Sequence, residues 1–236
     1  MSRDELKKLA GFTAVDAHVK SGMKLGLGTG STAIWATRRV GELLASGKLA
    51  DILAVTTDLG TKSECQDLGI PVRELNDREI DGQLDVAIDG ADEVDPDRRL
   101  IKGGGGALTI EKIVDYAADQ FVVVTDEKKI VSWLGETFPV PVEVLPAARL
   151  RAFRALEALG GKPEMRMATR KSGPVITDNG NIILDVHFDS AFDAPRLERE
   201  MNAIPGVVEN GLFTQLTPTV YVARNSGAVE EFSGSV

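Results

Sequence analysis

The segment at residues 26–33, GLGTGSTA, combines glycines with hydroxyl side chains between an expected strand and an expected helix. Glycines let the backbone turn tightly and bring its N–H groups close to a ligand. The start of a helix adds free donors and a partial positive charge, which suit a phosphate group. The segment therefore predicts an anion site, against the alternative of a tight turn in which serine and threonine only cap the helix. The candidate ligand-binding residues are Thr29, Gly30, Ser31 and Thr32.

This glycine-rich segment can be compared with two better-known patterns. No lysine follows the glycines, so the segment is not a P-loop. Residues 28–33 satisfy the dinucleotide pattern G-x-G-x-x-A, which by itself is a weak signal.

Two carboxylates, Asp89 and Asp92, flank a Gly90-Ala91 turn. The turn follows an apolar stretch that predicts a strand, and α/β sheets bind ligands at the carboxyl ends of their strands. Two carboxylates at one cleft suit proton transfer to and from a substrate. We therefore expect residues 89–92 to contact the ligand, against the alternative of a solvated acidic loop.

Four consecutive glycines follow Lys102 at residues 103–106. Such a run lets the chain approach a small polar ligand closely, and Lys102 could stabilise negative charge that develops on a substrate oxygen. The alternative is a flexible loop with a surface lysine. The candidate ligand-binding residues here are Lys102, Gly103, Gly104 and Gly105.

Three further side chains are candidates because of their positions. Glu111 falls early in the helix after the glycine run, where it is either a partner of the helix dipole or a general base at the same rim. Lys129 follows another expected strand and could bind an anion, or belong to a solvated charge run. Lys7 lies on the first helix, either at the surface or within reach of a phosphate.

The elements that must position these residues alternate between strand and helix. Strands are expected at 23–27, 52–57, 71–75, 84–89 and 121–125, and helices at 4–19, 31–44, 61–68 and 109–118. Several strands are apolar throughout, which predicts a Rossmann-like, doubly wound and mostly parallel sheet covered on both faces.

The pattern changes near Gly135. Strands at 140–145, 163–168, 182–186 and 207–213 and helices at 149–159 and 194–204 follow the order β-α-β-β-α-β, with a hairpin turn between 175–177 and 182–186. This order predicts a ferredoxin-like α+β domain inserted in the first. Residues 220–223 are expected to return to the first sheet. The predicted domains are 1–136 plus 212–236, and 137–211.

The composition excludes several classes of protein. The 236 residues carry a net charge of −9 with a pI of about 4.9, which disfavours binding to nucleic acid or anionic lipid. One cysteine, Cys65, and two histidines, His18 and His187, are too few and too scattered for a zinc site, although an all-oxygen magnesium site stays open. No apolar signal core or stretch long enough to span a membrane occurs, so we expect a cytoplasmic protein.

Taken together and in order, the motifs resemble the A-type ribose-5-phosphate isomerases. The matching stretches are GLGTGSTA, DGADEVD, IKGGGGALTIEKI, PVEVLP, VITDNGNIILDV and NAIPGVVENGLF, and they extend over nearly the whole chain, to about Phe213. The resemblance implies interconversion of D-ribose 5-phosphate and D-ribulose 5-phosphate in the non-oxidative pentose phosphate pathway, without metal or organic cofactor. We expect a homodimer or homotetramer.

The resemblance also assigns roles to residues. It implies substrate binding by residues 29–32, 89–92 and 102–105, a further ligand-binding lysine at Lys129 and a catalytic proton acceptor at Glu111. The sequence before Lys129 departs from the family's usual sequence at this point, so Lys128 is the alternative match to the family's ligand-binding lysine. The mechanism that follows is proton transfer through a cis-enediol, with Asp89 and Lys102 acting on the substrate oxygens and Asp89 or Asp92 assisting ring opening.

Other functions remain as alternatives. A related sugar-phosphate deaminase or lactonase would need an active-site histidine, and both histidines lie outside the motifs. A coenzyme A transferase is usually longer, and a sugar-phosphate-sensing regulator would need a basic DNA-binding segment. A dinucleotide-dependent oxidoreductase would need an acid for the ribose after the second strand, where Asp58 is the candidate.

Overall fold

The computed structural model describes residues 2–233, apart from the side chain of Arg3. In chain order the helices and strands are α1 (Arg3–His18), β1 (Lys24–Leu27), α2 (Ala33–Ala45), β2 (Leu53–Thr56), α3 (Leu59–Asp67), β3 (Leu84–Asp89), β4 (Glu93–Val94), β5 (Leu100–Ile101), α4 (Leu108–Tyr116), β6 (Ala118–Asp126), β7 (Val140–Val144), α5 (Arg149–Ala158), β8 (Lys162–Met165), β9 (Ile182–His187), α6 (Ala194–Asn202), β10 (Val207–Asn210), β11 (Leu212–Phe213), β12 (Thr219–Ala223) and β13 (Val229–Glu231). Within residues 2–233, no helix is both long enough and apolar enough to cross a membrane.

The chain forms two compact units. The first contains residues 2–91, Ile110–Lys129 and residues 217–233, and the second contains Asp92–Thr109 and Ile130–Leu216. The units divide the chain at other positions than the predicted domains, 1–136 plus 212–236 and 137–211, which stay a prediction. Residues 92–109 lie in the second unit because β4 and β5 pair there with each other, and β5 pairs with β11.

The first unit is built on a six-stranded sheet of order β13-β12-β6-β3-β1-β2. All neighbouring strands in it run parallel except β13, which pairs antiparallel with β12. Because the other strands are parallel, their carboxyl ends share one edge of the sheet, and the loops that follow β1, β3 and β6 leave from that edge. These loops carry residues 28–32, 90–91 and 127–129.

Helices cover both faces of this sheet. On one face, Leu25 and Leu27 of β1 share an apolar core with Ala10 of α1 and Ala36 of α2. On the other face, Val55 of β2 belongs to a core with residues of α4 such as Val114. Side chains that alternate along a strand point to opposite faces, so a strand that is apolar throughout serves both cores. This arrangement agrees with the predicted doubly wound architecture.

The second unit contains an antiparallel sheet of order β10-β7-β9-β8, with α5 following β7 and α6 following β9. Alternate residues of β7 and β9, including Val142 and Leu184, pack into one core with Leu156 of α5 and Met201 of α6. The order β-α-β-β-α-β agrees with the predicted ferredoxin-like unit. A separate three-stranded sheet of order β11-β5-β4 completes the unit.

Three predicted strands differ from the structure. Residues 71–75 form only an isolated bridge between Val72 and Ala54, because a turn held by the Asp77 side chain begins at Glu74. Residues 175–177 also form only an isolated bridge, at Ile176, because they enter a tight turn. The predicted strand 207–213 breaks at Gly211 into β10 and β11, which belong to different sheets.

Candidate active site

The loop after β1 passes very close to the end of β3. The Gly28 N–H donates a hydrogen bond to the Ile88 carbonyl oxygen over 3.0 Å. A Cβ atom at position 28 would lie 1.9 Å from Cγ of Asp89, so only glycine fits here. Gly30 has a φ of +110°, which a residue with a side chain rarely adopts. Gly28 therefore serves a close approach between the loop and the end of β3, while the approach of this loop to a ligand stays a prediction.

The hydroxyl residues of this loop have defined partners in the first unit. Thr29 Oγ1 donates to Oδ2 of Asp58 at 2.8 Å, and the other Asp58 oxygen accepts the N–H of Thr61 at 2.7 Å as the N-cap of α3. Thr61 Oγ1 in turn donates to the Gly28 carbonyl oxygen at 3.3 Å. Asp58, the candidate ribose-binding acid of a dinucleotide enzyme, thus directs both carboxylate oxygens into its own unit.

Lys7 lies beside the same loop. Its Nζ atom donates to Oγ of Ser31 at 2.7 Å, and the residue is only 7% exposed. The expectation that Lys7 could be a surface residue is therefore wrong, because α1 packs along α2 and brings its first turns to the loop that precedes α2. Thr32 precedes the first residue of α2 and makes no side-chain capping hydrogen bond to it. A cation and the start of a helix thus lie at residues 29–32, as an anion site requires.

Asp89, Gly90 and Glu111 also lie in the first unit. Asp89 ends β3, is fully buried, and accepts the N–H of Gly90 through Oδ1 at 2.6 Å. A Cβ atom at Gly90 would lie 3.7 Å from the Thr29 carbonyl oxygen, so the acidic turn and the glycine-rich loop are neighbours. Glu111 lies in the first turn of α4 and is 5% exposed. A buried carboxylate at this position is more than a solvated partner of the helix dipole.

The turn after β6 carries the two candidate lysines. Residues Glu127–Lys129 form one turn of 3₁₀ helix, in which the Lys128 N–H donates to Oδ1 of Asp126 at 3.1 Å. Lys128 is exposed, whereas Lys129 is half-buried.

The glycine run and its lysine lie in the second unit. Lys102 is 2% exposed, and its Nζ atom lies 5.5 Å from the centre of the Phe213 ring. The backbone N–H of Lys102 donates to the Gly211 carbonyl oxygen at 2.9 Å, which fixes the backbone immediately before the glycine run. Gly103 and Gly106 have φ values of +104° and +87°. The alternative of a surface lysine on a flexible loop is therefore wrong for Lys102.

Asp92 holds the glycine run from one side. Its Oδ2 atom accepts the N–H of Gly104 at 2.7 Å. A Cβ atom at Gly104 would lie 2.8 Å from Oδ1 of the same carboxylate, so a side chain here would push Asp92 away from its hydrogen bond. Asp92 and the run, separate motifs in the sequence, form one structure.

Arg166 holds the run from another direction, and no motif marks it in the sequence. Its Nη1 atom donates to the carbonyl oxygens of Gly103 and Gly104 at 2.8 and 3.2 Å, while Nε and Nη2 donate to Asp185. Only the pairing of β8 with β9 brings Arg166 to Asp185, so a local sequence pattern gives no signal for it.

The structure thus groups the predicted residues in two sets. The first unit contains residues 29–32, Asp89, Gly90, Ala91, Glu111, Lys7 and Lys129. The second unit contains Asp92, Lys102, Gly103, Gly104 and Gly105. Among residues 2–233, no three histidine, cysteine, aspartate or glutamate side chains are grouped as ligands for a metal ion.

Comparison with known proteins connects these features to one family. Residues 53–227 match the model of the family described as ribose 5-phosphate isomerase A (phosphoriboisomerase A). The ribose-5-phosphate isomerase A of Treponema denticola is 48% identical over 238 residues, covering 98% of this chain and all of the relative. That of Thermosynechococcus vestitus is 51% identical, covering 95% of this chain and 94% of the relative.

Solved structures of ribose 5-phosphate isomerases also superpose on nearly the whole chain. The ribose 5-phosphate isomerase A of Methanocaldococcus jannaschii superposes with a TM-score of 0.90 at 46% identity, over 98% of this chain and 100% of its own. A D-ribose-5-phosphate isomerase solved in complex with phospho-erythronic acid superposes with a TM-score of 0.93 at 43% identity, with the same coverage. These matches confirm both the predicted fold class and the resemblance found in the motifs. The chain belongs to the ribose 5-phosphate isomerase A family.

Proposed function

We propose that this chain interconverts D-ribose 5-phosphate and D-ribulose 5-phosphate. The proposal rests on sequence identity. Relatives that are named for this reaction have about 50% of their residues identical to those of this chain over nearly its full length. The burial of Asp89, Lys102 and Glu111 supports it, because charged side chains are rarely buried without a specific role.

The reaction moves one proton between neighbouring carbons. In the proposed mechanism the Glu111 carboxylate removes the proton from C2 of the open-chain aldose and returns it to C1. In the same conversion O1 gains a proton and O2 loses one, so no external acid, oxidant or reductant is consumed. The intermediate is a cis-enediol or enediolate, and its formation requires a base close to both carbons.

Other residues would handle the oxygens and the phosphate. We assign Lys102 and Asp89 to the enediolate, where a buried cation stabilises charge on O1 or O2 and the carboxylate exchanges protons with them. Asp89 or Asp92 would assist opening of the furanose ring. The phosphate would bind to residues 29–32 with Lys7 and Lys129; the half-buried position of Lys129 favours it over the exposed Lys128.

The proposal also includes the cellular location, the oligomeric state and the binding partners of this chain. We propose a cytoplasmic homodimer or homotetramer that acts in the non-oxidative pentose phosphate pathway on a small sugar phosphate, needs no metal or organic cofactor, and binds neither nucleic acid nor membrane. The net charge of −9 supports the last point, because nucleic acid and cytoplasmic membrane surfaces are also negative. One relative was solved with phospho-erythronic acid, a phosphorylated sugar acid, which supports the substrate class.

A direct assay tests the proposal. Purified protein is mixed with ribose 5-phosphate in EDTA, and ketose formation is followed by absorbance. We expect rapid turnover that added Mg²⁺ does not change. Loss of activity in EDTA, restored by Mg²⁺, would defeat the metal-free mechanism. Binding of the sugar phosphate without turnover would favour the sensor, and binding of NAD would favour the oxidoreductase.

A further inference from the structure

The glycine run at residues 103–106 needs an external constraint to hold one shape. Glycine loses more conformational freedom on folding than any other residue, so four in succession form a segment with little order of its own. The turn is closed locally by one hydrogen bond, from the Gly106 N–H to the Gly103 carbonyl oxygen at 3.0 Å. A loop of this kind binds a ligand well only when its ordering does not have to accompany binding.

Arg166 provides a constraint from a distant part of the chain. Its Nη1 atom lies 2.8 Å from the Gly103 carbonyl oxygen and 3.2 Å from that of Gly104. The Gly103 oxygen therefore accepts both the turn hydrogen bond and the guanidinium. One arginine nitrogen thus fixes the orientation of two consecutive peptide groups.

Arg166 is itself held firmly. Its Nε and Nη2 atoms donate to the two oxygens of Asp185 at 2.8 and 2.5 Å, and the two side chains are 14% and 18% exposed. The backbone of Arg166 is fixed as well, since its N–H donates to the Ile183 carbonyl oxygen at 2.9 Å and its own carbonyl oxygen accepts from Val175. The planar guanidinium suits this geometry because it offers several donors in a rigid fork, which lysine does not.

The opposite side of the loop is held by Asp92. The Gly104 N–H donates to Asp92 Oδ2, while the Gly104 carbonyl oxygen accepts from Arg166. Both polar groups of this glycine are therefore used to hold the loop. A carboxylate on one side and a guanidinium on the other therefore hold the two peptide groups that flank Gly104.

We infer that Arg166, oriented by Asp185, is a positioning residue that orders the glycine run before the sugar phosphate binds. The inference rests on the proposed function, in which residues 102–105 contact the substrate. Arg166 does not touch the substrate in this account; it acts through the carbonyl oxygens of Gly103 and Gly104. Removing the Arg166 side chain should therefore raise KM, because the loop must then become ordered each time the substrate binds. It should also lower kcat, because the loop is misplaced in a fraction of the enzyme–substrate complexes.

The test uses Arg166→Met, which removes all the donors, and Arg166→Lys, which keeps the charge but not the fork. Arg170→Met is the matched control, because Arg170 is an exposed arginine in the next turn. We expect kcat/KM for ribose 5-phosphate to fall at least tenfold in Arg166→Met, less in Arg166→Lys, and not in Arg170→Met. Melting temperatures and circular dichroism show whether each variant is folded. If Arg166→Met is unfolded, the value of kcat/KM in Arg166→Lys decides whether the inference holds.

Hydrogen–deuterium exchange provides a readout that does not depend on activity. We expect faster exchange in a peptide covering residues 100–108 of Arg166→Met, with unchanged exchange in the strands of the first unit. Unchanged exchange at 100–108 overturns the inference, as does faster exchange with normal kcat/KM. If the unmodified chain shows no turnover, the proposed function fails, and with it the link to catalysis; the exchange data still decide whether Arg166 orders the loop.

Discussion

The hydroxyl of Thr29 donates its hydrogen to the carboxylate of Asp58 across 2.8 Å, which ties the glycine-rich loop to the start of α3. The hydrogen of this hydroxyl is thereby used within the protein. Thr29 can still offer its N–H to a bound phosphate. Asp58 is better described as a residue that shapes the loop than as an acid that binds a ribose.

Replacing Asp58 by Ala should weaken substrate binding more than turnover. The variant loses the N-cap of α3, which costs about 1 kcal/mol, and it also releases Thr29. Asp193→Ala is a matched control, because Asp193 caps α6 in the same way, through the N–H of Arg196 at 3.1 Å, and has no part in the loop. We expect similar losses of unfolding free energy in both variants, but a raised KM for ribose 5-phosphate only in Asp58→Ala. Equal KM values would contradict the assigned role.

Replacing Glu111 by Gln should remove the base and leave the shape of the site. General base catalysis contributes about 10²–10⁴-fold, so kcat should fall by at least two orders of magnitude with a modest change in KM. The exposed Glu157 of α5 offers a control substitution, Glu157→Gln, which should leave both constants unchanged. A near-normal kcat in Glu111→Gln would show that another group transfers the proton.

Replacing Gly28 by Ala should disturb Asp89 directly. The added Cβ atom would lie 1.9 Å from Asp89 Cγ, so either the loop or the carboxylate must move, at roughly 1–3 kcal/mol of overpacking. Gly60→Ala is the comparison, because a Cβ atom at this exposed position of α3 makes only an ordinary contact at 3.5 Å. Chemical denaturation should show a less stable Gly28→Ala and an unchanged or slightly more stable Gly60→Ala, since alanine favours a helix. A stable, fully active Gly28→Ala would disprove the close approach.

Replacing Glu143 by Ala should destabilise the second unit. This fully buried carboxylate accepts hydrogen bonds from the Thr109 hydroxyl, the Thr177 hydroxyl at 2.8 Å and the Asn181 amide at 2.8 Å. A buried donor left without an acceptor costs about 1–3 kcal/mol, so the midpoint of urea unfolding should fall clearly. The exposed Glu164 of β8 provides the control, Glu164→Ala, with little expected change. Similar midpoints for the two variants would mean that the hydrogen bonds around Glu143 contribute little.

The single cysteine, Cys65, should be inert in the folded chain. Burial, with a smaller effect of Glu64, raises the pKa of its thiol from an ordinary value of 9.0 to about 12. Ellman's reagent at pH 8 should therefore modify the thiol only after unfolding. The protonated thiol is favoured in the folded state, so its contribution to stability is complete below pH 9 and is lost as the pH rises toward 12. Stability should decline less steeply over that range in Cys65→Ala than in the unmodified chain; equal slopes would contradict the shift.

The elements that sequence predicts best are those whose signal is local. The strands at 84–89 and 121–125 are apolar throughout and appear as β3 and β6. The glycine motifs were predictable for the same reason, because an unusual run of glycines is visible without knowledge of the fold. Long helices with regular apolar spacing, such as α1, were also predicted within a residue or two at each end.

Features that depend on distant pairing had no such signal. Strand β11 has only two residues and forms because Leu212 meets Ile101 of β5, far back along the chain. Arg166 is one of many arginines until β8 and β9 pair and set it beside Asp185. Lys7 was not predicted to be buried, since its partner Ser31 is brought near by packing of α1 along α2.

The strand order of the first unit has a consequence for synthesis on the ribosome. Strand β6 pairs on one side with β3 and on the other with β12, and Val123 and Val220, which are partners, lie roughly a hundred residues apart. The residues of the second unit up to Leu216 therefore leave the exit tunnel before β12 does. Until β12 arrives, the nascent chain presents β6 as an open, apolar edge, a site for pairing with other chains. The newly made protein thus depends on the late arrival of β12 for protection from aggregation.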